Sequence, residues 1–344
     1  MTELIEGIRQ NNFLIVGRVG IDFFTDPGVA LEDAERVTVD IGGSAANIAA
    51  GICKLGGQAT LVTRTSDDSI GSYCVNRLRH YGVETKHVTP VGGEYRNSLA
   101  VYESRVVGHR NTIYRNGAAD FQMDEANVSG VDYSLYGALV TAGTVFAAEP
   151  SRSATFKSFE LARAAGLPII FDVDYRPYSW PSPEVATEVL SRAAAQCDMI
   201  VGNDEEFGFM AGDYTKGLDK ARELSRTTAS VVVFKLGADG SVTFADGQEI
   251  RRGIYPVEAL KPTGAGDSFM AGLLTSLADG LDLATAIQRG SACASITVSK
   301  PGCAPAMPDR AGLEAFLGQH PGPTTPEGLD DAYLALRQPE QAYR

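Results

Sequence analysis

The sequence predicts an α/β protein of three layers, a sandwich in which helices cover both faces of a mainly parallel central sheet. Short, continuously apolar runs alternate with segments of helical periodicity along most of the chain. These runs are too apolar for one face to meet water, as expected of parallel strands that are buried on both faces. With 344 residues, the chain is also long enough for one large domain with a substantial core.

Six segments have the pattern of buried strands, and six have the periodicity of amphipathic helices. The strands are predicted at 13–16, 59–63, 138–141, 168–173, 198–201 and 230–235. The helices are predicted at 45–55, 151–165, 184–195, 216–226, 265–278 and 283–298. In such sheets a ligand binds beyond the carboxyl ends of the strands, so polar residues that directly follow the strands are candidates for a site.

Two segments, at about 19–40 and 95–116, carry β-like runs with no helix between them. We expect them to form a small β lid that covers the site and excludes water; a solvent-exposed hairpin is the alternative. Residues 1–318 are predicted to form the main domain. Residues 319–344, which are rich in proline, glycine and charge, are predicted to be a surface extension with one short helical patch at 329–337.

Charge and composition exclude several classes of partner. The net charge of −13 provides no basic surface for nucleic acid and makes an anionic membrane an unfavourable partner. The five cysteines show no C-x-x-C spacing, and no run of about 18 apolar residues occurs. We therefore expect a cytoplasmic protein with no nucleic-acid or membrane partner. Open edges of the lid strands make a homodimer through the lid possible.

The segment Gly264, Ala265, Gly266 and Asp267 opens the predicted helix 265–278. Small residues let the free N–H groups of a helix start surround an anion, and the helix dipole favours that anion. The same helix end should keep Asp267 ionised near pH 7, so that it can accept a proton from an alcohol. This pattern indicates a phosphoryl-transfer site, although an ordinary glycine-rich loop before a helix-start carboxylate is an alternative for so short a motif.

A second glycine pair, Gly42 and Gly43, precedes the helix that contains Asn47. Glycines let a small polyol approach the backbone, and the Asn47 amide can both donate to and accept from hydroxyls. Together with the later Gly-Ala-Gly-Asp segment, in this order and at this separation, the pair resembles the two signatures of the ribokinase-like (PfkB) carbohydrate kinases. The resemblance covers about residues 13–317.

This resemblance implies a ribokinase-like fold, ATP and Mg²⁺ as cofactors, and a role for each residue that matches a motif. Asp267 matches the catalytic base, and the N–H groups of Gly264, Ala265 and Gly266 match the anion hole. The sugar-binding positions are matched by Asp22, Gly42, Gly43 and Asn47. Asn203 and Glu206 resemble the N-x-x-E motif that organises magnesium and phosphate, with Glu206 as the metal-side residue and a helix-start carboxylate as the alternative. Lys235, Gly237 and Gly240 resemble the nucleotide-side turn.

Further segments, among them 17–22 and 171–177, resemble the branch of that family that acts on a sugar acid in inositol catabolism. A guanidinium group pairs with carboxylate or phosphate oxygens, so Arg176 and Arg115 are candidates for substrate binding, with a structural ion pair as the alternative for each. Lys261 stands where many family members carry an Asp linked to a monovalent-cation site. We therefore expect no activation by potassium, and we expect Lys261 to face the phosphates of ATP.

The predicted reaction is transfer of the γ-phosphoryl group of ATP to a primary hydroxyl of a sugar acid. Kinases for 2-keto-3-deoxygluconate, fructose, ribose or a nucleoside on the same scaffold remain open alternatives. A sugar-acid sensor without turnover is an alternative from a different class. A Rossmann dehydrogenase is disfavoured, because Gly17 and Gly20 after the first strand do not have the spacing G-x-G-x-x-G.

Overall fold

The computed structural model describes residues 1–104 and 110–324. Within them the strands are β1 (Asn12–Val16), β2 (Gly20–Phe24), β3 (Thr38–Gly42), β4 (Gln58–Ser66), β5 (Glu84–Val91), β6 (Leu99–Tyr102), β7 (Asn111–Tyr114), β8 (Ala138–Ala142), β9 (Ile169–Asp172), β10 (Met199–Asn203), β11 (Val231–Lys235), β12 (Ser241–Ala245) and β13 (Gln248–Arg252). The helices are α1 (Thr2–Arg9), α2 (Ser44–Lys54), α3 (Ser69–His80), α4 (Glu125–Ser129), α5 (Ser151–Ala164), α6 (Pro183–Ala194), α7 (Asp204–Ala211), α8 (Gly217–Thr227), α9 (Ala265–Ala278), α10 (Leu283–Val298) and α11 (Arg310–Gln319).

The central sheet has nine strands in the order β13-β12-β11-β10-β9-β8-β1-β4-β5. The seven strands from β11 to β5 pair in parallel, and β12 and β13 are added antiparallel at one edge. All six predicted strands lie in this sheet, so the mainly parallel α/β architecture is confirmed. The sequence patterns did not identify β5, β12 or β13, which lie at the two ends of the sheet.

Helices cover both faces of the sheet. Along β1, Phe13 and Ile15 pack in one apolar cluster with residues of α2, α9 and α10. Leu14 and Val16 pack in a second cluster with residues of α5, α6, α7 and α8. Because successive side chains of a strand point to opposite faces, two clusters that divide β1 in this way identify two separate helical layers. The six predicted helices all occur, and the three-layer sandwich is confirmed.

A second sheet has the strand order β3-β2-β6-β7. These strands fall within or next to the two segments expected to form a lid, and the motion of a lid stays a prediction. The stretch 105–109 of those segments, and the helical patch expected at 329–337 of the C-terminal extension, lie outside the described residues. None of the helices in the described ranges is long and apolar enough to pass through a bilayer.

Candidate active site

A cleft of about 360 Å³ lies at the carboxyl ends of the parallel strands, where β9, β10 and β11 end in Asp172, Asn203 and Lys235. Side chains of the second sheet, Tyr102, Asn111 and Ile113, line it as well. The structure brings twelve of the predicted site residues to its walls: Gly43, Asn47, Arg176, Asn203, Glu206, Lys235, Gly237, Gly240, Gly264, Ala265, Gly266 and Asp267. Four others, Asp22, Gly42, Arg115 and Lys261, are not among the lining residues.

The start of α9 forms one wall of this cleft. Gly264 is the N-cap residue and has a φ of 82°, a left-handed conformation that strains any residue with a Cβ. The first N–H groups of a helix have no acceptor within it, so those of the first turn of α9 are available to an anion. A Cβ at Gly266 would lie 3.1 Å from the Lys235 Nζ, which brings the ammonium group next to this helix start. The arrangement can hold negatively charged oxygens.

Asp267 meets Asn47 across the cleft. The Asn47 Nδ2 donates to the Asp267 Oδ2 at 2.8 Å, and this bond joins the first turns of α2 and α9. Among the described residues, the buried Asn47 Oδ1 has no hydrogen-bond partner. The amide therefore orients the carboxylate and leaves an acceptor beside it.

The ionisation state of Asp267 differs from the sequence-based expectation. Burial, followed by the negative charges of Asp174 and Asp172, raises the pKa of Asp267 to about 7, and the bond from Asn47 opposes this only in part. The favourable helix end is outweighed because three carboxylates share a poorly solvated cleft. Asp267 is therefore not fully ionised at neutral pH in the free protein, and its pKa suits a general base working near pH 7.

Asp174 follows β9 and is tightly held. It has a φ of 38°, unusual for a residue with a side chain. Its Oδ2 accepts bonds from the Ser44 Oγ at 2.6 Å and the Thr144 Oγ1 at 3.1 Å, and its Oδ1 lies 2.9 Å from the Arg176 guanidinium. Burial opposes ionisation, but the Arg176 charge and these hydroxyl donors keep the pKa of Asp174 below its ordinary value. Asp174 is thus a fixed negative charge next to Asp267.

Asn203 and Glu206 form a capping box at the start of α7. The Asn203 Oδ1 accepts from the Glu206 N–H at 2.8 Å, and the Glu206 Oε2 accepts from the Asn203 N–H at 2.8 Å. The Glu206 Oε1 also accepts from the Tyr175 N–H at 3.1 Å. The structural role that the sequence left open for Glu206 is therefore present, and the metal-side role remains a prediction.

The acidic groups around Glu206 fit a magnesium ion that keeps most of its water. Burial raises the pKa of Glu206, and burial together with the negative charge of Glu206 raises the pKa of Asp172 to about 7. A divalent cation would relieve this crowding of negative charge. Mg²⁺ is commonly held by one or two carboxylates, retained waters and substrate phosphates rather than by a complete protein cage. Glu206 and Asp172 are the residues that could hold it.

The structure corrects the expectation for Arg115. Instead of facing the cleft as a free guanidinium, this buried side chain lies 2.6 Å from the Asp120 carboxylate and donates to the Thr144 carbonyl oxygen at 2.9 Å. The guanidinium also lies 4.0 Å from the ring centre of Phe121. Arg115 is therefore a structural residue that ties the end of β7 to the loop beside it, the alternative that the sequence left open.

Lys261 is also placed differently from the expectation. It is 2% exposed, and its Nζ donates to the main-chain carbonyl oxygens of Thr263 and Thr297. Burial lowers the pKa of its ammonium group. Because Thr263 directly precedes Gly264, this lysine supports the glycine loop from behind rather than lining the nucleotide side of the cleft.

Asp22 lies behind the cleft wall and depends on Gly42. In the pairing of β2 with β3, Gly42 lies opposite Gly20, and any Cβ at position 42 would overlap the nearby Asp22 carboxylate. Burial raises the pKa of Asp22 to about 7 against the effect of the nearby Arg18. Among the described residues, the buried Asp22 Oδ2 has no hydrogen-bond partner. The sugar-binding role of both residues stays a prediction.

Sequence reasoning assigned no role to several side chains that line the cleft: Arg18, Ser44, Tyr102, Tyr178 and Cys303. Arg18 comes two residues after β1, and polar residues that follow a strand are candidates for a site. Ser44 is adjacent to the second glycine pair. These two had a local signal. Tyr102, Tyr178 and Cys303 had none, because separate parts of the chain bring them to the cleft.

Comparison with known proteins gives a consistent result. The family model described as pfkB family carbohydrate kinase matches residues 11–310. A 5-dehydro-2-deoxygluconokinase of Geobacillus kaustophilus is 34% identical over 315 residues, which cover 90% of this chain and 94% of that one. A PfkB protein from Polaromonas sp. JS666 superimposes with a TM-score of 0.76 at 26% identity, covering 88% and 99% of the two chains. A fructokinase from Xylella fastidiosa with bound ATP has a TM-score of 0.79 at 20% identity, covering 90% and 98%.

Proposed function

Because the chain belongs to the pfkB family of carbohydrate kinases, we propose that it transfers the γ-phosphoryl group of ATP to the primary hydroxyl of a sugar acid. We propose 5-dehydro-2-deoxy-D-gluconate as the acceptor and its 6-phosphate as the product. That the protein is a carbohydrate kinase follows from its family. The substrate and the residue roles given below are proposals.

The observation that carries the proposed chemistry is the position of Asp267 in the first turn of α9, beside the Asn47 amide and at the wall of the cleft. In the proposed reaction the Asp267 carboxylate accepts the proton of the substrate hydroxyl, whose oxygen attacks the γ-phosphorus as ADP leaves. The free N–H groups of the helix start and the Lys235 ammonium hold the phosphoryl oxygens. Since positioned charges stabilise the transferring group, no covalent intermediate with the protein is required.

ATP and Mg²⁺ are the proposed cofactors. ATP use is supported by the family and by the ATP-bound fructokinase of similar fold. Magnesium, held by Glu206 and Asp172, would supply positive charge that shields the phosphate oxygens from the acidic cleft. The capping box with Asn203 fixes the position of Glu206, and the ion pair with Arg176 fixes the position of Asp174.

The choice of sugar acid is supported by curated relatives named 5-dehydro-2-deoxygluconokinase, at 34% to 35% identity over about 90% of the chain. Cations at the cleft are a second support. Arg18, Arg176 and Lys235 all line it, and a neutral sugar with ATP would need fewer positive groups than an anionic sugar with ATP.

The test is release of ADP, measured with a coupled assay in the presence of ATP and Mg²⁺. The panel contains 5-dehydro-2-deoxy-D-gluconate, 2-keto-3-deoxy-D-gluconate, fructose and ribose. We expect the highest kcat/KM for the first, with a 6-phosphate product identified by NMR. Preference for fructose or ribose would refute the sugar acid. Binding of a sugar acid in a thermal-shift assay, with no ADP release from any compound, would instead indicate a sensor.

A further inference from the structure

Arg18 is a buried cation at the cleft that no part of the proposed phosphoryl transfer uses. It comes two residues after β1, is 8% exposed and lines the cleft. Burying a guanidinium is costly unless an anion and hydrogen-bond acceptors meet it. The groups around Arg18 therefore show whether the protein itself supplies the anion and the acceptors.

The protein only partly satisfies this guanidinium. The Arg18 Nη1 donates to the Ser98 Oγ at 2.9 Å, while the buried Nε has no hydrogen-bond partner in the described part of the chain. Across residues 1–104 and 110–324, no carboxylate forms an ion pair with Arg18 within 4.0 Å. Burial opposes the charge of Arg18, but the negative charges of Asp120 and Asp22, which act from farther away, raise the pKa of Arg18 above its ordinary value.

The other cations of the cleft are already matched by acidic groups. Arg176 lies 2.9 Å from Asp174, and Lys235 lies 3.8 Å from Asp172. Outside the cleft, Arg115 is paired with Asp120. Among the described residues that line the cleft, Arg18 is thus the arginine or lysine without an ion-pair partner, so no carboxylate within 4.0 Å competes with an incoming anion.

The chain also provides the space that this arrangement needs. A Cβ at Gly20 would lie 2.6 Å from the Ser98 Oγ and 3.3 Å from the Arg18 Nη1. A larger residue at position 20 would therefore displace the hydroxyl that positions the guanidinium. Side chains of Tyr102 and Tyr178 line the same cleft, so its walls there are amphipathic and suited to a small polar ligand.

We propose that Arg18 binds the carboxylate of the sugar acid and so determines the preference for an acid over a neutral sugar. The inference rests on the proposed function and adds the residue that recognises the substrate class. A carboxylate would accept bonds from N–H groups of the Arg18 guanidinium at the cleft and would neutralise a buried charge. The positive charge of Arg18 would also offset the repulsion that Asp174, Asp267 and the other acids exert on an anionic substrate.

The experiment compares kcat/KM for 5-dehydro-2-deoxy-D-gluconate and for the analogue in which CH₂OH replaces the carboxylate. The variants are Arg18→Met, which keeps the length of the side chain and removes its charge, and Arg18→Lys. Arg115→Met is the matched control, because it removes a buried arginine that already has an acidic partner. Thermal unfolding of each ligand-free protein accompanies the kinetics.

For the wild type we expect a preference for the acid. In Arg18→Met, kcat/KM for the acid should fall about 10²-fold, mostly through KM, because one partner of a buried charge pair is lost. With the neutral analogue it should change less than about threefold. Arg18→Lys should recover part of the preference. The thermal stability of ligand-free Arg18→Met should change little, because the lost attraction to Asp120 and Asp22 offsets the gain from removing a buried charge. Arg115→Met should be less stable and keep the wild-type preference.

An equal loss on both substrates in Arg18→Met, or an undiminished preference for the acid, would overturn the inference while the proposed function stands. A wild type that neither phosphorylates a sugar acid nor is stabilised by one in a thermal-shift assay would overturn both proposals. These outcomes are distinguishable, because the wild-type assay alone decides the second case.

Discussion

The pKa of Asp267 makes the pH dependence of the reaction a direct test of its role as the base. In the free protein, burial and the charges of Asp174 and Asp172 raise this pKa to about 7. Only the ionised carboxylate accepts a proton, and about one molecule in ten is ionised at pH 6 against about nine in ten at pH 8. Because kcat/KM reports groups of the free enzyme, it should rise about tenfold between these two pH values.

The variant Asp267→Asn removes the base and keeps the shape of the side chain. Its kcat/KM should fall by about 10²- to 10⁴-fold, and the residual activity should lose the tenfold rise. Asp22→Asn is the control, because burial raises the pKa of Asp22 to about 7 as well. That variant should keep the rise, whatever its effect on sugar binding. Full activity of Asp267→Asn, or an undiminished rise in its residual activity, would refute the assignment.

The same pKa also predicts how Asp267 affects folding. Its pKa in the folded protein lies above the ordinary value of 3.8, so the stability associated with its protonated form is present below about pH 4 and is lost as the pH rises through about 7. The difference between the two pKa values corresponds to at most about 4 kcal/mol of unfolding free energy, since the side chain retains some contact with solvent in the cleft. In urea unfolding, ligand-free Asp267→Asn should therefore gain more stability over the wild type at pH 8 than at pH 5. Equal gains in stability at pH 5 and pH 8 would contradict a raised pKa for Asp267 in the folded protein.

Two further substitutions test the residues whose expected places the structure corrected. Arg115→Met should lower the free energy of unfolding by roughly 3–5 kcal/mol, because it leaves the buried Asp120 carboxylate without its ion-pair partner, and a thermally unchanged variant would refute that pairing. Lys261→Met should lower kcat by about 10²-fold with little change in KM, because the loop before α9 loses its support. Lys54→Met is its control, since the Lys54 Nζ also donates to two main-chain carbonyl oxygens, at 3.0 and 3.2 Å, but outside that loop. An equal loss of kcat in Lys54→Met would argue against the loop-support role of Lys261.

Most of the fold followed from local patterns. Continuous apolar runs predicted the central strands correctly, because a strand buried on both faces has little room for polar residues. The strand Glu84–Val91 was not predicted, since it lies at an end of the sheet and its residues are mostly only partly buried. The antiparallel pair Ser241–Ala245 and Gln248–Arg252 was also not predicted, because hydroxyl residues interrupt the apolar run of the first strand and the second is mostly polar.

The site divides in a similar way. The helix start at Gly264 to Asp267 could be read from sequence, because glycine conformation and the free N–H groups of a helix are local properties. The pKa of Asp267 could not be predicted from sequence, since it depends on Asp172 and Asp174, which lie at the end of β9, far away in the chain. The partners of Arg115 and Lys261 could not be predicted from sequence either. Both side chains are buried among acceptors rather than facing the cleft.

The sequence by itself thus determined the layered architecture, the kind of chemistry expected at the start of α9, and the residue types available for it. Only the tertiary structure decided which charges face one another: Arg176 and Lys235 are met by carboxylates, and Arg18 is left without an ion pair among the described residues. The physical reason is that backbone conformation depends on near neighbours in the chain. The energy of a charge depends on everything within several ångströms of it, including residues far away in sequence.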